Sequence, residues 1–185
     1  MVEDARRARD LALLDAVDAL KREPVNREVW RLVRSGRDPT VGSPSRSRWC
    51  NESFDVLYTS FERDGAIAEI HALLSLQPVF PSKDVWFASR LKIAATQVLR
   101  LADLATLSRL GVDAARYAER DYGRTQEIAD AAYFLGFEGL IAPSARWSCL
   151  NLILFTSRIS PDYIQIVETP DHPVRWDEWR KQTQR

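Results

Sequence analysis

Residues 28–74 read EVWRLVRSGRDPTVGSPSRSRWCNESFDVLYTSFERDGAIAEIHALL, and the period of their apolar pattern changes along the stretch. Residues 28–34 alternate, with Val29, Arg31 and Val33 on one face and Trp30, Leu32 and Arg34 on the other, as a strand requires. Residues 35–47 are crowded with Gly, Pro and Ser and read as a loop, long enough that a functional role is worth expecting. Residues 55–60 predict a second strand. Residues 62–76 switch to helical spacing, with Ala66, Ile67, Ile70, Leu73 and Leu74 on one buried stripe. Each segment also carries a polar residue among apolar neighbours: Arg31, Arg48, Tyr58 and then Glu69. On the helix, Glu69 lies about 100° from the centre of the stripe, a flank position that can face a cleft rim.

Working outward, residues 3–22 predict an amphipathic helix through Leu13, Val17 and Leu20, ended by Pro24. This gives an N-terminal helical segment, 1–24, ahead of the main unit over 25–185. Downstream, residues 84–100 predict one or two strands, and 112–119 and 124–135 predict helices, the second stopping at Gly136. Residues 138–143, 150–156 and 163–168 are strand-like, and 175–184 read as a closing helix. Strands and helices are interspersed without a βαβ rhythm. The expected fold is therefore α+β, with a mixed, mostly antiparallel sheet and flanking helices.

Composition narrows the function classes. The 26 Lys and Arg balance 26 Asp and Glu, so no basic stripe favours nucleic acid or an anionic membrane. Zero net charge makes a homo- or hetero-oligomer unsurprising. No apolar run approaches the ~20 residues that span a bilayer. Residues 1–20 carry alternating charges and no signal-like core, which leads to the expectation of a cytoplasmic protein with Cys50 and Cys149 as free thiols. Two histidines, His71 and His172, and no Cys pair at ligand spacing give no reason to expect a metal. His71 reads as structural and His172 as solvated. The phosphate-loop, nucleophile-elbow and H-E-x-x-H signatures are absent.

Taken singly, Arg31 and Glu69 read as ordinary surface-flank residues. Their order is more informative. From Trp30 to Leu74 the chain resembles the first half of a RES domain: an arginine in the first strand, a loop ending in Arg48-Trp49 with Asn51 nearby, a strand with Tyr58, and a helix with Glu69. The second half continues the resemblance through Gly139-Leu140-Ile141-Ala142-Pro143-Ser144-Ala145-Arg146 and Asn151-Leu152-Ile153-Leu154-Phe155. One departure stands out. The family's usual Gly-Gly before Arg-Trp is replaced here by Arg46-Ser47, and its proline is missing, so a different loop conformation is expected.

The resemblance implies an ADP-ribosyltransferase-like fold whose members consume NAD. It implies a toxin neutralised by an Xre-type antitoxin that covers or enters the active cleft. Breaking the nicotinamide–ribose bond produces an oxocarbenium-like ribose, which a carboxylate stabilises; Glu69 is assigned that role. Arg31 and Arg48 suit the diphosphate of NAD, because guanidinium groups give bidentate donors. Tyr58 can stack on the cationic ring. Ser144 can bond the carboxamide, the ribose or Glu69, and Asn151 can anchor the Ser144 loop. The acceptor stays open between water, inorganic phosphate and a protein side chain. The alternatives are an ADP-ribosyltransferase with a protein target, and a non-catalytic interaction protein on the same scaffold.

Overall fold

Alternation along Arg22–Arg34 builds β1, whose Val25 and Val29 turn inward. The computed structural model describes residues 9–183. β1 pairs antiparallel along its length with β5 (Trp86–Arg100), a single strand of 15 residues where one or two were expected. At Trp30 it also meets Ser60 of β4 (Val56–Ser60). β4 pairs with β7 (Leu150–Phe155), β7 with β6 (Gly139–Pro143), and β6 returns in parallel to the far end of β5. These pairings close a ring of strands, and β8 (Ile164–Glu168) adds to the outer edge of β5. All the pairings but β5–β6 are antiparallel, so the α+β expectation holds.

Inside the ring, Val25, Val29, Leu57, Leu91, Ile93, Val98, Ile141, Leu152 and Leu154 make one core. A second core lies outside it. There α1 (Leu11–Asp18) and α4 (Gly123–Phe134) cover β6 and β7 through Leu13, Val17, Ile128 and Ala132. A third joins α2 (Arg63–Leu74) to α5 (Trp176–Thr183) through Ile67, Leu74, Trp176 and Trp179. Such burial is the main favourable term in folding.

Several element boundaries differ from those predicted. The first helix occupies only Leu11–Asp18 of the expected 3–22, and residues 3–8 lie outside the described residues. Asp10 starts it, its carboxylate accepting from the Ala12 and Leu13 amides. Pro24 does not end the helix, which stops at Asp18; it sits within β1, where the register shifts, as suits a residue without an N–H. The helix expected over 112–119 is only a 3₁₀ turn, Ala114–Arg116, and α3 (Leu104–Arg109) precedes it. Asp103 caps α3, and Gly111, at φ +88°, takes the left-handed turn just after it. Leu73 is not on a buried stripe; it is 52% exposed and faces a cleft. No helix among the described residues is long and apolar enough to cross a membrane.

Candidate functional site

Strand register decides which side chains meet. Tyr58 lies opposite Ile153, and Ser60 opposite Asn151, which in turn faces Ala142 across β6. Side chains two apart share a face, so Tyr58, Ser60 and Asn151 point the same way, out of the ring and under α2. That face is the floor of a cleft of about 390 Å³. Arg31, Arg48, Tyr58, Glu69 and Asn151 all line it. Ser144 stands behind Glu69.

Glu69 is half-buried on α2, and its carboxylate is held on one side. Oε1 accepts from Ser144 Oγ at 2.6 Å and from Asn151 Nδ2 at 3.0 Å. Oε2 has no hydrogen-bond partner among the described residues. Ser144 is itself fixed by the turn after β6, where its hydroxyl accepts from the amides of Arg146 and Trp147. Asn151 is buried, and its Oδ1 finds no donor among the described residues.

Arg31 and Arg48 make no ion pairs among the described residues. Arg31 Nη1 donates to the carbonyls of Pro39 and Val41, both at 2.8 Å, and so ties the 35–47 loop to β1. Its Nη2 and Nε make no hydrogen bond among the described residues. Burial pulls the Arg31 guanidinium down to about 10, against the opposing pull of Asp38. Arg48 lies between two rings, its guanidinium carbon 4.5 Å from the centroid of Tyr117 and 4.8 Å from that of Tyr122. Its Nη2 donates to the Glu119 carbonyl.

Tyr58 does more than offer a ring. Its hydroxyl accepts from the Trp49 amide and bonds Ser47 Oγ, each at 2.8 Å. Burial holds the phenol well above its usual range, so it stays protonated. The segment around Arg48 is a small hairpin, β2 (Arg46–Ser47) and β3 (Cys50–Asn51), held by Gln126 Nε2 donating to the Ser47 and Cys50 carbonyls. Its left-handed residue is Glu52, at φ 71°, so neither Arg46 nor Ser47 occupies a conformation that needs glycine. The Ser47 hydroxyl is instead used as the partner of Tyr58.

Three contributors went unassigned in the sequence. Arg120, Tyr122 and Arg146 line the cleft. Arg146 lies in the segment quoted above, although no role followed from it. Arg120 and Tyr122 come from an irregular stretch without a period. Arg120 reaches across to donate to the Ala72 carbonyl near the C-terminus of α2, a favourable place for a cation. Four arginines thus surround one carboxylate. No group of three or more His, Cys, Asp or Glu side chains among the described residues is placed to hold a metal.

Comparison with known proteins bears on the family and the fold. The family model for the RES domain matches residues 28–177. A probable NAD(+) phosphorylase of Mycobacterium tuberculosis is 31% identical over 170 residues, covering 86% of this chain and 81% of that protein. Among solved structures, a chain of the M. tuberculosis MbcT–MbcA toxin–antitoxin complex superposes with a TM-score of 0.81 at 18% identity, over 94% of this chain and 98% of that one.

Proposed function

The chain belongs to the RES domain family, and from that premise we propose that it is a toxin-like enzyme that consumes NAD by cleaving the nicotinamide–ribose bond. The observation that carries this reading is the Glu69 carboxylate, fixed on one oxygen by Ser144 and Asn151 and free on the other, in a cleft otherwise charged by arginines. The cleft volume falls within the range of ordinary small-molecule sites.

Each residue then has a task. Arg48 and the unbonded edge of Arg31 take the diphosphate. The Tyr58 ring lines the position for the pyridinium, while its hydroxyl keeps the Arg48 hairpin in place. As the C–N bond breaks, its electron pair leaves with nicotinamide, which departs neutral. Positive charge moves onto the ribose, where Glu69 stabilises it. Ser144 and Asn151 hold the carboxylate in position before the reaction begins, so little reorganisation is needed. An acceptor oxygen bonds to the anomeric carbon: an anionic phosphate oxygen does so without losing a proton, whereas water passes one to the Glu69 carboxylate or to solvent.

Inorganic phosphate is our preferred acceptor, which would yield ADP-ribose 1″-phosphate; the support is the likeness to a probable NAD(+) phosphorylase of M. tuberculosis. Water would yield ADP-ribose instead. The second reading, an interaction protein with a decayed site, rests on the replaced glycines before Arg48. It is weakened by the use the fold makes of Ser47. An Xre-type antitoxin is the partner we propose, because the solved relative was captured in a toxin–antitoxin complex.

The test is incubation of purified protein with NAD, with and without phosphate. Free nicotinamide is followed, and the ribosyl product is weighed by mass spectrometry. Absence of nicotinamide release in both conditions refutes the reading. In a bacterial host, expression of wild type is expected to arrest growth and Arg48→Ala to relieve the arrest.

A further inference from the structure

Tyr117 is outside the cleft lining, yet it touches both halves of the site. It follows the Ala114–Arg116 turn, whose start is fixed by the Asp113 carboxylate on the Ala115 amide. Its side chain is buried in the core shared with α1 and α4. The ring lies beneath the Arg48 guanidinium at 4.5 Å. The hydroxyl donates to the Pro143 carbonyl at 2.7 Å. Pro143 is the last residue of β6, and the next residue is Ser144, whose hydroxyl reaches Glu69. Burial raises the phenol, outweighing the Arg48 cation, so the hydroxyl keeps the proton it donates.

We infer that Tyr117 is a positioning residue of this site: one buried side chain that fixes Arg48 on its ring face and the Ser144–Glu69 pair through its hydroxyl. The inference rests on the NAD-cleaving reading above. The two contacts are chemically separable. Phenylalanine keeps the face under Arg48 and loses the bond to Pro143. Leucine loses both. No other hydrogen bond to the Pro143 carbonyl outside the sheet ladder is made among the described residues, so the β6 end loses that tether in either variant.

The experiment is steady-state NAD cleavage by wild type, Tyr117→Phe and Tyr117→Leu, with Tyr117→Phe repeated in a Ser144→Ala background. Thermal melts confirm that each variant is folded at the assay temperature. Tyr117→Phe is expected to lower kcat by about ten-fold at nearly constant KM, since a small displacement of a catalytic group costs that much or more. Tyr117→Leu is expected to raise KM for NAD as well, because Arg48 loses one of the two rings that hold it. In the Ser144→Ala background, Tyr117→Phe is expected to add no further loss, since its route to Glu69 ends at the missing hydroxyl. Wild-type kinetics for Tyr117→Phe, or an equal loss in both backgrounds, overturns the inference. If Tyr117→Leu does not fold, the Tyr117→Phe pair decides alone. An inactive wild type refutes the functional reading, and the role falls with it; an active wild type matched by Tyr117→Phe refutes only the role.

Discussion

Glu69→Gln isolates the charge from the shape. Both donors, Ser144 Oγ and Asn151 Nδ2, converge on Oε1. A glutamine in the same rotamer offers its carbonyl oxygen to that pair and its amide nitrogen to the open side, so the local bonds survive. What is lost is one negative charge. A carboxylate about 4 Å from a unit positive charge is worth about 4 kcal/mol at an effective dielectric of about 20. That is about three powers of ten in rate. NAD already bears a positive pyridinium before reaction, so part of this attraction is present in the ground state and does not accelerate the step. The expected loss in kcat is therefore about two to three powers of ten. KM should stay level or fall, the weaker hold on the pyridinium being offset at the diphosphate. The remaining charged lining residues are Arg31, Arg48, Arg120 and Arg146, and removing the one anion favours an anionic diphosphate. The assay is nicotinamide release with kcat and KM resolved separately, alongside a thermal melt. A kcat within about three-fold of wild type, or a loss confined to KM, refutes the assignment.

Gly65→Ala is expected to lower Tm. A Cβ there runs into Ser60 Oγ and Cys149 Sγ where α2 crosses β4, and overpacking of about 1–3 kcal/mol outweighs the ~1 kcal/mol helix preference of alanine; adding Ser60→Ala and Cys149→Ala should recover the loss. Asn151→Asp places a second carboxylate against Glu69 and removes a donor from it. The kcat for NAD cleavage should then fall, and a wild-type kcat counts against the contact. His71 is packed by Phe80, Trp176 and Trp179, and burial, then the Arg180 cation, lowers its affinity for a proton. The unfolded chain protonates first as pH falls, so stability is full above pH 6.5, the ordinary histidine value, and declines below it until the folded state also protonates. Tm measured against pH should flatten in His71→Phe across this window; an unchanged slope assigns the acid sensitivity elsewhere.

Much of the site was legible because it is local. Alternation placed Arg31 and Tyr58 on strands, and the helical period placed Glu69 on the flank of α2. Those facts survive any strand order. The convergence of Asn151 with Glu69 depends on the β4–β7 register, which pairs residues 91 apart in the case of Ser60 and Asn151; a single sequence does not encode that alignment visibly. The 103–122 segment differs from its expectation in another way. Asp103 and Gly111 bracket α3 as cap and stop, whereas the helix was expected over 112–119, where the backbone makes only a 3₁₀ turn. Arg120 and Tyr122 follow on irregular backbone, where no period exists to read. Nor does sequence show how donors are shared out: that Arg31 commits Nη1 to two loop carbonyls, or that Tyr58 gives its hydroxyl to the Arg48 hairpin, emerges only once the loop has a path.

The way charge is left unspent in the cleft ties these details together. Elsewhere the chain pairs its charges freely, as in Arg90 with Glu28 and Glu168, or Arg100 with Glu23. Among the described residues, no ion pair involves Arg31, Arg48, Arg120, Arg146 or Glu69. Arg31, Arg48 and Arg120 are held by neutral partners: backbone carbonyls of Pro39, Val41, Glu119 and Ala72, and the rings of Tyr117 and Tyr122. Glu69 is held by a hydroxyl and an amide rather than by a guanidinium. Neutral partners fix a charged group without cancelling its field, whereas an Arg–Glu pair would quench both. The cost is self-repulsion among cations, and an anionic ligand removes it on binding. It follows that added salt should raise KM for NAD by screening the arginines, while the kcat deficit of Glu69→Gln, set by a contact inside the cleft and far shorter than the ~10 Å Debye length at about 0.1 M, should hold. Parallel collapse of both with salt would mean that the carboxylate acts at long range through the field, and the close contact to the ribose would have to be abandoned.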